Sequence, residues 1–196
     1  MRRICVYCGS SHGARRAYTE LAQSLGRQLA QANIGLVYGG GSVGLMGIVA
    51  DAVLAEGGEV IGVIPSVLAR KELLHQDCTT LYQVGTMHER KARMEELADG
   101  FIALPGGYGT LDELFEIITW AQLGLHRKPI GLLNGQHYYD QLIDFLRHTV
   151  AEEFVRETHF KALLIDDDPQ RLLSRMQTYQ AVPIASVNKW IGRENV

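Results

Sequence analysis

The chain has 196 residues, 46% of them hydrophobic, enough for one substantial core and one expected domain over 1–196. Its 19 Lys and Arg nearly balance 22 Asp and Glu, and no basic stripe is long enough to follow a nucleic-acid backbone, so no nucleic-acid partner is expected. No apolar run reaches transmembrane length, and Met1-Arg-Arg leads straight into a strand-like run, so a soluble, cytoplasmic protein without a membrane partner is expected.

Short branched runs alternate with helical patterns along the chain. Residues 4–8 read as a first strand and 14–32 as a helix carrying Leu21, Leu25 and Leu29 on one stripe. A second strand at 34–38 precedes a small-residue-rich helix at 45–56, suited to close packing, and a third strand at 60–64 stops at Pro65. The mixed piece 66–85 reads as irregular. Helix 87–98, strand 101–104, helix 111–123, strand 130–133, helix 138–149, strand 162–165 and helix 169–177 follow. Strands this short, separated by helices, call for a parallel sheet covered on both faces. The fold class is therefore α/β, a Rossmann-like doubly wound parallel sheet, with ligands expected beyond the carboxyl ends of the strands. The tail 178–196, which includes Trp190, is expected to pack on its own domain or on a partner chain.

The odd set Cys5, Cys8 and Cys78 argues against a disulfide framework. Cys5-Val-Tyr-Cys8 has the letters of a redox pair, but on a strand residues three apart face opposite ways, so buried thiols are expected.

Two glycine-rich turns follow strands. Gly39-Gly-Gly-Ser-Val-Gly44 matches GxGxxG by letter, but it follows the second strand, and Glu59 precedes the third strand instead of ending it, so a dinucleotide fingerprint is not supported. Gly106-Gly-Tyr-Gly109 opens a helix and offers backbone N–H groups where the helix dipole is positive. Neither carries the Lys-Ser/Thr of a P-loop. Both loops lie at one end of the expected sheet, so one crevice holding a monophosphate is the simplest reading. Gly9-Ser-Ser11 opens toward the same edge.

Thr86-Met-His-Glu89 and Thr110-Leu-Asp-Glu113 both have the form of a capping box. For Glu113 a cap and a catalytic carboxylate are both open, since the loop before it suits a ligand. On helix 87–98, Met87, Arg90 or Lys91, and Met94 share neighbouring faces. An arginine on a methionine stripe either snorkels to solvent or points into a polar pocket, toward a phosphate or a carboxylate such as Glu113. Asp112, Glu116 and His88 are open as proton donors, and no His/Cys/Asp/Glu spacing resembles a metal site.

The run Pro105-Gly-Gly-Tyr-Gly-Thr-Leu-Asp-Glu113, with Met87-His-Glu-Arg-Lys91 and Tyr38-Gly-Gly-Gly-Ser-Val-Gly-Leu-Met-Gly47 upstream, resembles the Lonely Guy (LOG) family across about residues 3–177. Those proteins are cytokinin riboside 5′-monophosphate phosphoribohydrolases, long mislabelled as possible lysine decarboxylases. The resemblance implies hydrolysis of the N-glycosidic bond of adenosine-type nucleoside monophosphates, a homodimer, and no required metal or redox cofactor. It implies Arg90 and Glu113 as the catalytic pair. It also implies a substrate site drawn from Ser10, Gly40, Gly41, Gly44, Met46, Gly47, Met87, Lys91, Met94, Gly106, Gly107, Tyr108, Gly109, Thr110 and Glu116. The decarboxylase label has no support here, since no lysine sits where a pyridoxal Schiff base would form. General purine nucleotide turnover, a nucleotide binder without chemistry, and a ribosyl or phosphoribosyl transferase remain the alternatives.

Overall fold

Seven strands build the sheet: β1 (Arg3–Tyr7), β2 (Gly35–Tyr38), β3 (Val60–Pro65), β4 (Thr80–Val84), β5 (Gly100–Ala103), β6 (Ile130–Leu133) and β7 (Leu163–Asp166). All pair in parallel, in the order β4-β3-β2-β1-β5-β6-β7. The helices are α1 (Arg16–Gln31), α2 (Gly44–Ala55), α3 (Ser66–Ala69), α4 (Met87–Leu97), α5 (Tyr108–Gln122), α6 (Asp140–Ala151), α7 (Glu157–Ala162) and α8 (Pro169–Gln177). The computed structural model describes residues 1–69 and 74–181.

The two-residue period of a strand divides the core in two. On one face Ile4, Val6 and Cys8 pack with Leu25 and Leu29 of α1, Val49 and Val53 of α2, and Leu172 and Met176 of α8. On the other, Cys5 and Tyr7 pack with Met94 of α4, Leu114 and Ile117 of α5, and Ile143 of α6. The doubly wound reading holds. Cys5 and Cys8 fall in different cores, and burial pushes both thiol pKa values up, away from the reactive thiolate. Helices α1 and α2 approach closely where α1 carries Gly26; a methyl group there would stand 2.6 Å from Ala52 Cβ and 2.7 Å from the Val49 carbonyl.

Two elements differ from expectation. The piece read as irregular contains the short helix α3 and the edge strand β4, which pairs with β3 from Ile61↔Thr80 to Pro65↔Val84. An edge strand buries neither face fully, so Thr80-Leu-Tyr-Gln-Val84 shows no clear alternation; its residues are half-buried or exposed. Helix α7 also precedes β7, where a bare connection was expected. The expected packing of the tail falls, beyond Ala181, outside the described residues.

β1 sits at the topological switch. From it the chain moves outward through β2, β3 and β4, then returns to β5 on β1's other side. The loops leaving β1 and β5 stand at the carboxyl edge where the winding direction changes, the usual ligand position in such sheets. Three loops meet there: the Gly9 N–H donates to the Pro105 carbonyl at 3.1 Å, and the Leu45 N–H to the Gly9 carbonyl at 3.0 Å.

Candidate active site

Arg90 and Glu113 are brought together from different helices. Arg90 Nη1 lies 2.9 Å from Glu113 Oε1, with side chains only 12% and 9% exposed. Arg90 Nε also donates to the Val63 carbonyl within β3, at 3.2 Å. The guanidinium fits because Gly39 has no side chain: a methyl group there would stand 2.2 Å from Arg90 Nη2. Of the two partners open to Arg90 in the sequence, the carboxylate is the one it meets. Burial pushes the Glu113 pKa above the ordinary carboxylate range, and the positive charge of Arg90 opposes that rise.

Thr86 and Thr110 part ways. At α4 the capping box forms, with Glu89 N–H donating to Thr86 Oγ1 at 3.1 Å and Gly85 N–H to Glu89 Oε2 at 2.7 Å. At α5 it does not, because the helix starts earlier, with Gly107 as N-cap and Tyr108 as first residue. Glu113 therefore lies beyond the first turn, on the buried side, and has no role as a cap. Thr110 is buried with its hydroxyl against Gly106, where a Cβ would stand 2.1 Å from Thr110 Oγ1.

The glycines do different work. Gly44, at φ +60°, lies under the loop bearing Ser10; a Cβ there would meet the Ser10 carbonyl carbon at 2.2 Å. Gly40 accepts from the His75 N–H, Gly41 bridges Leu74, and Gly47 packs on the Ser42 carbonyl, so all three serve contacts within or onto their own loop. Met46 lies near Gly39, beside the Arg90 guanidinium. By contrast, a Cβ at Gly107 or Gly109 would meet nothing within 4 Å. Packing does not demand glycine there, and an anion would have room to approach the first-turn N–H groups. Tyr108 between them is 94% exposed.

Three expected substrate contacts are placed differently. Met94 is 1% exposed and packed in the core with Cys5, Phe101 and Leu114, so it offers a ligand no surface. Met87, seven residues earlier on nearly the same stripe, is the first residue of α4 and stays exposed, while two turns further along Met94 reaches the core. Lys91 Nζ is held by Glu116 Oε1 at 3.0 Å and Asp112 Oδ2 at 3.2 Å, splinting α4 to α5 instead of reaching the glycine turn. Burial alone would lower its pKa, but the two carboxylates outweigh that and keep the amine charged. Glu116 is thereby occupied as well. His88 is exposed on α4.

Gly39 as the seat of Arg90, and the tyrosine pair Tyr138-Tyr139, were not singled out from the sequence. Tyr138 Oη donates to the Gly106 carbonyl and Tyr139 Oη to the Leu104 carbonyl, each at 2.6 Å. The available signal was position: adjacent tyrosines just after the sixth strand stand at the same sheet edge as the glycine turn.

A family model described as "Possible lysine decarboxylase" matches residues 46–176. The cytokinin riboside 5′-monophosphate phosphoribohydrolase LOG of Oryza sativa subsp. japonica is 48% identical over 178 residues, covering 91% of this chain and 74% of that protein. LOG2 of Arabidopsis thaliana, with the same enzyme name, is 49% identical over 178 residues, covering 91% and 84%. Among solved structures, the molybdenum cofactor binding protein from Rippkaea orientalis matches with a TM-score of 0.69 at 21% identity, covering 91% of this chain and 97% of that one. The molybdenum cofactor carrier protein from Chlamydomonas reinhardtii matches at 0.68 and 18%, covering 90% and 96%. These two share the fold; at such identity they carry nothing further. Matched by the family model over most of its length, and nearly half identical to the plant enzymes, the chain belongs to the family described as possible lysine decarboxylase, the family of the cytokinin riboside 5′-monophosphate phosphoribohydrolases.

Proposed function

We propose that this protein hydrolyses the N-glycosidic bond of adenosine-type nucleoside 5′-monophosphates, AMP or N6-substituted AMP, to the free base and ribose 5-phosphate, the reaction that activates cytokinins. The observation that carries the reading is the buried Arg90–Glu113 pair beside an uncapped, glycine-lined helix N-terminus. The names of the plant relatives point the same way. The family model's decarboxylase description fits less well. A Schiff base needs a neutral lysine amine, whereas Lys91, beside the pair, is kept protonated by two carboxylates.

In this reading the 5′-phosphate rests on the first turn of α5, and the binding energy gained there positions C1′ of the ribose. Departure of the base builds positive charge on C1′ and the ring oxygen. Glu113, in its ionised form, stabilises that charge and serves the attack of water, directly or as nucleophile. Arg90 keeps the carboxylate ionised beside a dianionic phosphate and fixes its direction through the second bond to Val63.

We further propose a homodimer through the outer face of α5, where Tyr108 and Phe115 expose apolar surface along a groove that also reaches Leu111, Glu116 and Trp120. Phe115→Glu should shift sedimentation to the monomer; a wild-type monomer at micromolar concentration would exclude the pairing.

Purified protein given AMP, isopentenyladenosine monophosphate or adenosine should release base from the two monophosphates, with little from adenosine. Equal turnover of adenosine and AMP would refute the phosphate anchor. Because activity requires ionised Glu113 and burial raises its pKa, the acidic limb of kcat/KM should lie above the ordinary glutamate value of about 4.3. Removing the opposing positive charge with Arg90→Ala should carry that limb further up in pH, while lowering turnover. An unmoved limb would deny Arg90 its part as counter-charge.

A further inference from the structure

Resting on the proposal that a 5′-phosphate docks on the first turn of α5, we propose that Tyr138 is a positioning residue for that anchor. Its hydroxyl orients the Gly106–Gly107 peptide so that the Gly107 N–H faces the phosphate.

The argument starts from three successive carbonyls. Leu104 O accepts from Tyr139 Oη at 2.6 Å, Pro105 O from the Gly9 N–H at 3.1 Å, and Gly106 O from Tyr138 Oη at 2.6 Å. A peptide is planar and trans, so its N–H points opposite its C=O. Pinning the Pro105 and Gly106 carbonyls therefore aims the Gly106 and Gly107 N–H groups the other way. Helix α5 begins immediately after, with Gly107 as an N-cap that makes no side-chain cap bond, and its first N–H groups have no acceptor within the helix. Beyond Gly107 the space is open.

The Gly106–Gly107 peptide is the weak point of this array. Flanked by two glycines, it has the most freedom to rotate into another orientation. The Gly9 bond holds the peptide before it, and the Tyr138 hydroxyl holds this one. The sequence aims that hydroxyl with some care: Gln136 and His137, both at φ +58°, reverse the chain after β6. The Tyr138 ring then stands edge-on to Tyr18 at 5.6 Å and to Tyr139 at 4.8 Å.

Burial separates the two tyrosines. Tyr139 is a core residue, and its hydroxyl satisfies a buried carbonyl. Tyr138 is 42% exposed, so water can replace its hydroxyl at little cost to folding. What water does not replace is the fixed direction of the carbonyl, and that matters only when an anion reads the N–H on the far side.

The test is Tyr138→Phe, which keeps the ring and its edge contacts. The KM for AMP and the inhibition constant of ribose 5-phosphate should both rise roughly three- to tenfold, the range that one net hydrogen bond supplies. In the same variant kcat should change by less than about twofold, as expected for lost binding common to ground and transition states. Inhibition by adenine, which has no phosphate, and the melting temperature should stay at wild-type values. Unchanged ribose 5-phosphate inhibition, or an equal loss with adenine, would overturn the role of Tyr138. A wild-type enzyme that treats AMP and adenosine alike would instead remove the phosphate anchor, and this inference with it. Wild-type discrimination kept intact in Tyr138→Phe refutes the Tyr138 role alone.

Discussion

The buried ion pair of Arg90 and Glu113 is the constraint around which the rest of the site is arranged. Taking two charges out of water is expensive, and an apolar pair of similar volume is often equally stable. Here the cost is visible in Glu113, whose pKa burial raises despite the guanidinium 2.9 Å away. Between the ordinary and the raised value the folded state binds the proton more tightly than the unfolded chain, so ionising Glu113 as pH rises works against folding. A group that lowers stability in its working form, and that needs Gly39 left bare and a backbone carbonyl turned inward, is best explained by what it does to a ligand.

That pair includes a residue of the helix whose first turn follows the glycine-rich loop. The winding direction reverses between β1 and β5, the place where such sheets usually hold a ligand. Backbone bonds tie the three loops there: Gly9 bonds to Pro105 and accepts from Leu45. The tyrosine pair holds the carbonyls of Leu104 and Gly106, Gly9 holds that of Pro105, and α5 starts directly after them with the positive end of its dipole. In the proposed function the charge of the phosphate is met mostly by fixed backbone dipoles, which leaves the Arg90 guanidinium for the carboxylate.

How much of this was legible in the sequence follows from what each signal depends on. Strands fully covered on both faces, such as Ile4–Cys8 and the run before Pro105, betray themselves by continuous branched residues, so the parallel sheet could be read. Strand β4 could not, because an edge strand makes half the contacts and tolerates Thr80 and Gln83 alike. The pairing of Arg90 with Glu113 was within reach, because a charge on a methionine stripe needs a partner. The destinations of Lys91 and Met94 were not, since one residue along α4 rotates the side chain by about 100° and only packing decides which face is inward. The start of α5 was misplaced because Thr110-x-x-Glu113 imitates a cap, while the true N-cap, Gly107, carries no side-chain signal at all. The tyrosines that hold the turn come from a strand end some thirty residues away in sequence, a juxtaposition that only the strand order brings about.

The most direct test of the account replaces Glu113 by glutamine and measures release of ribose 5-phosphate from AMP, with the binding of AMP and the melting temperature as controls. A carboxylate that stabilises the developing charge predicts turnover lower by roughly a thousandfold, with binding and folding retained. Turnover close to wild type in a folded, AMP-binding Glu113→Gln variant would contradict it, and would leave the buried pair as a structural bridge between α4 and α5.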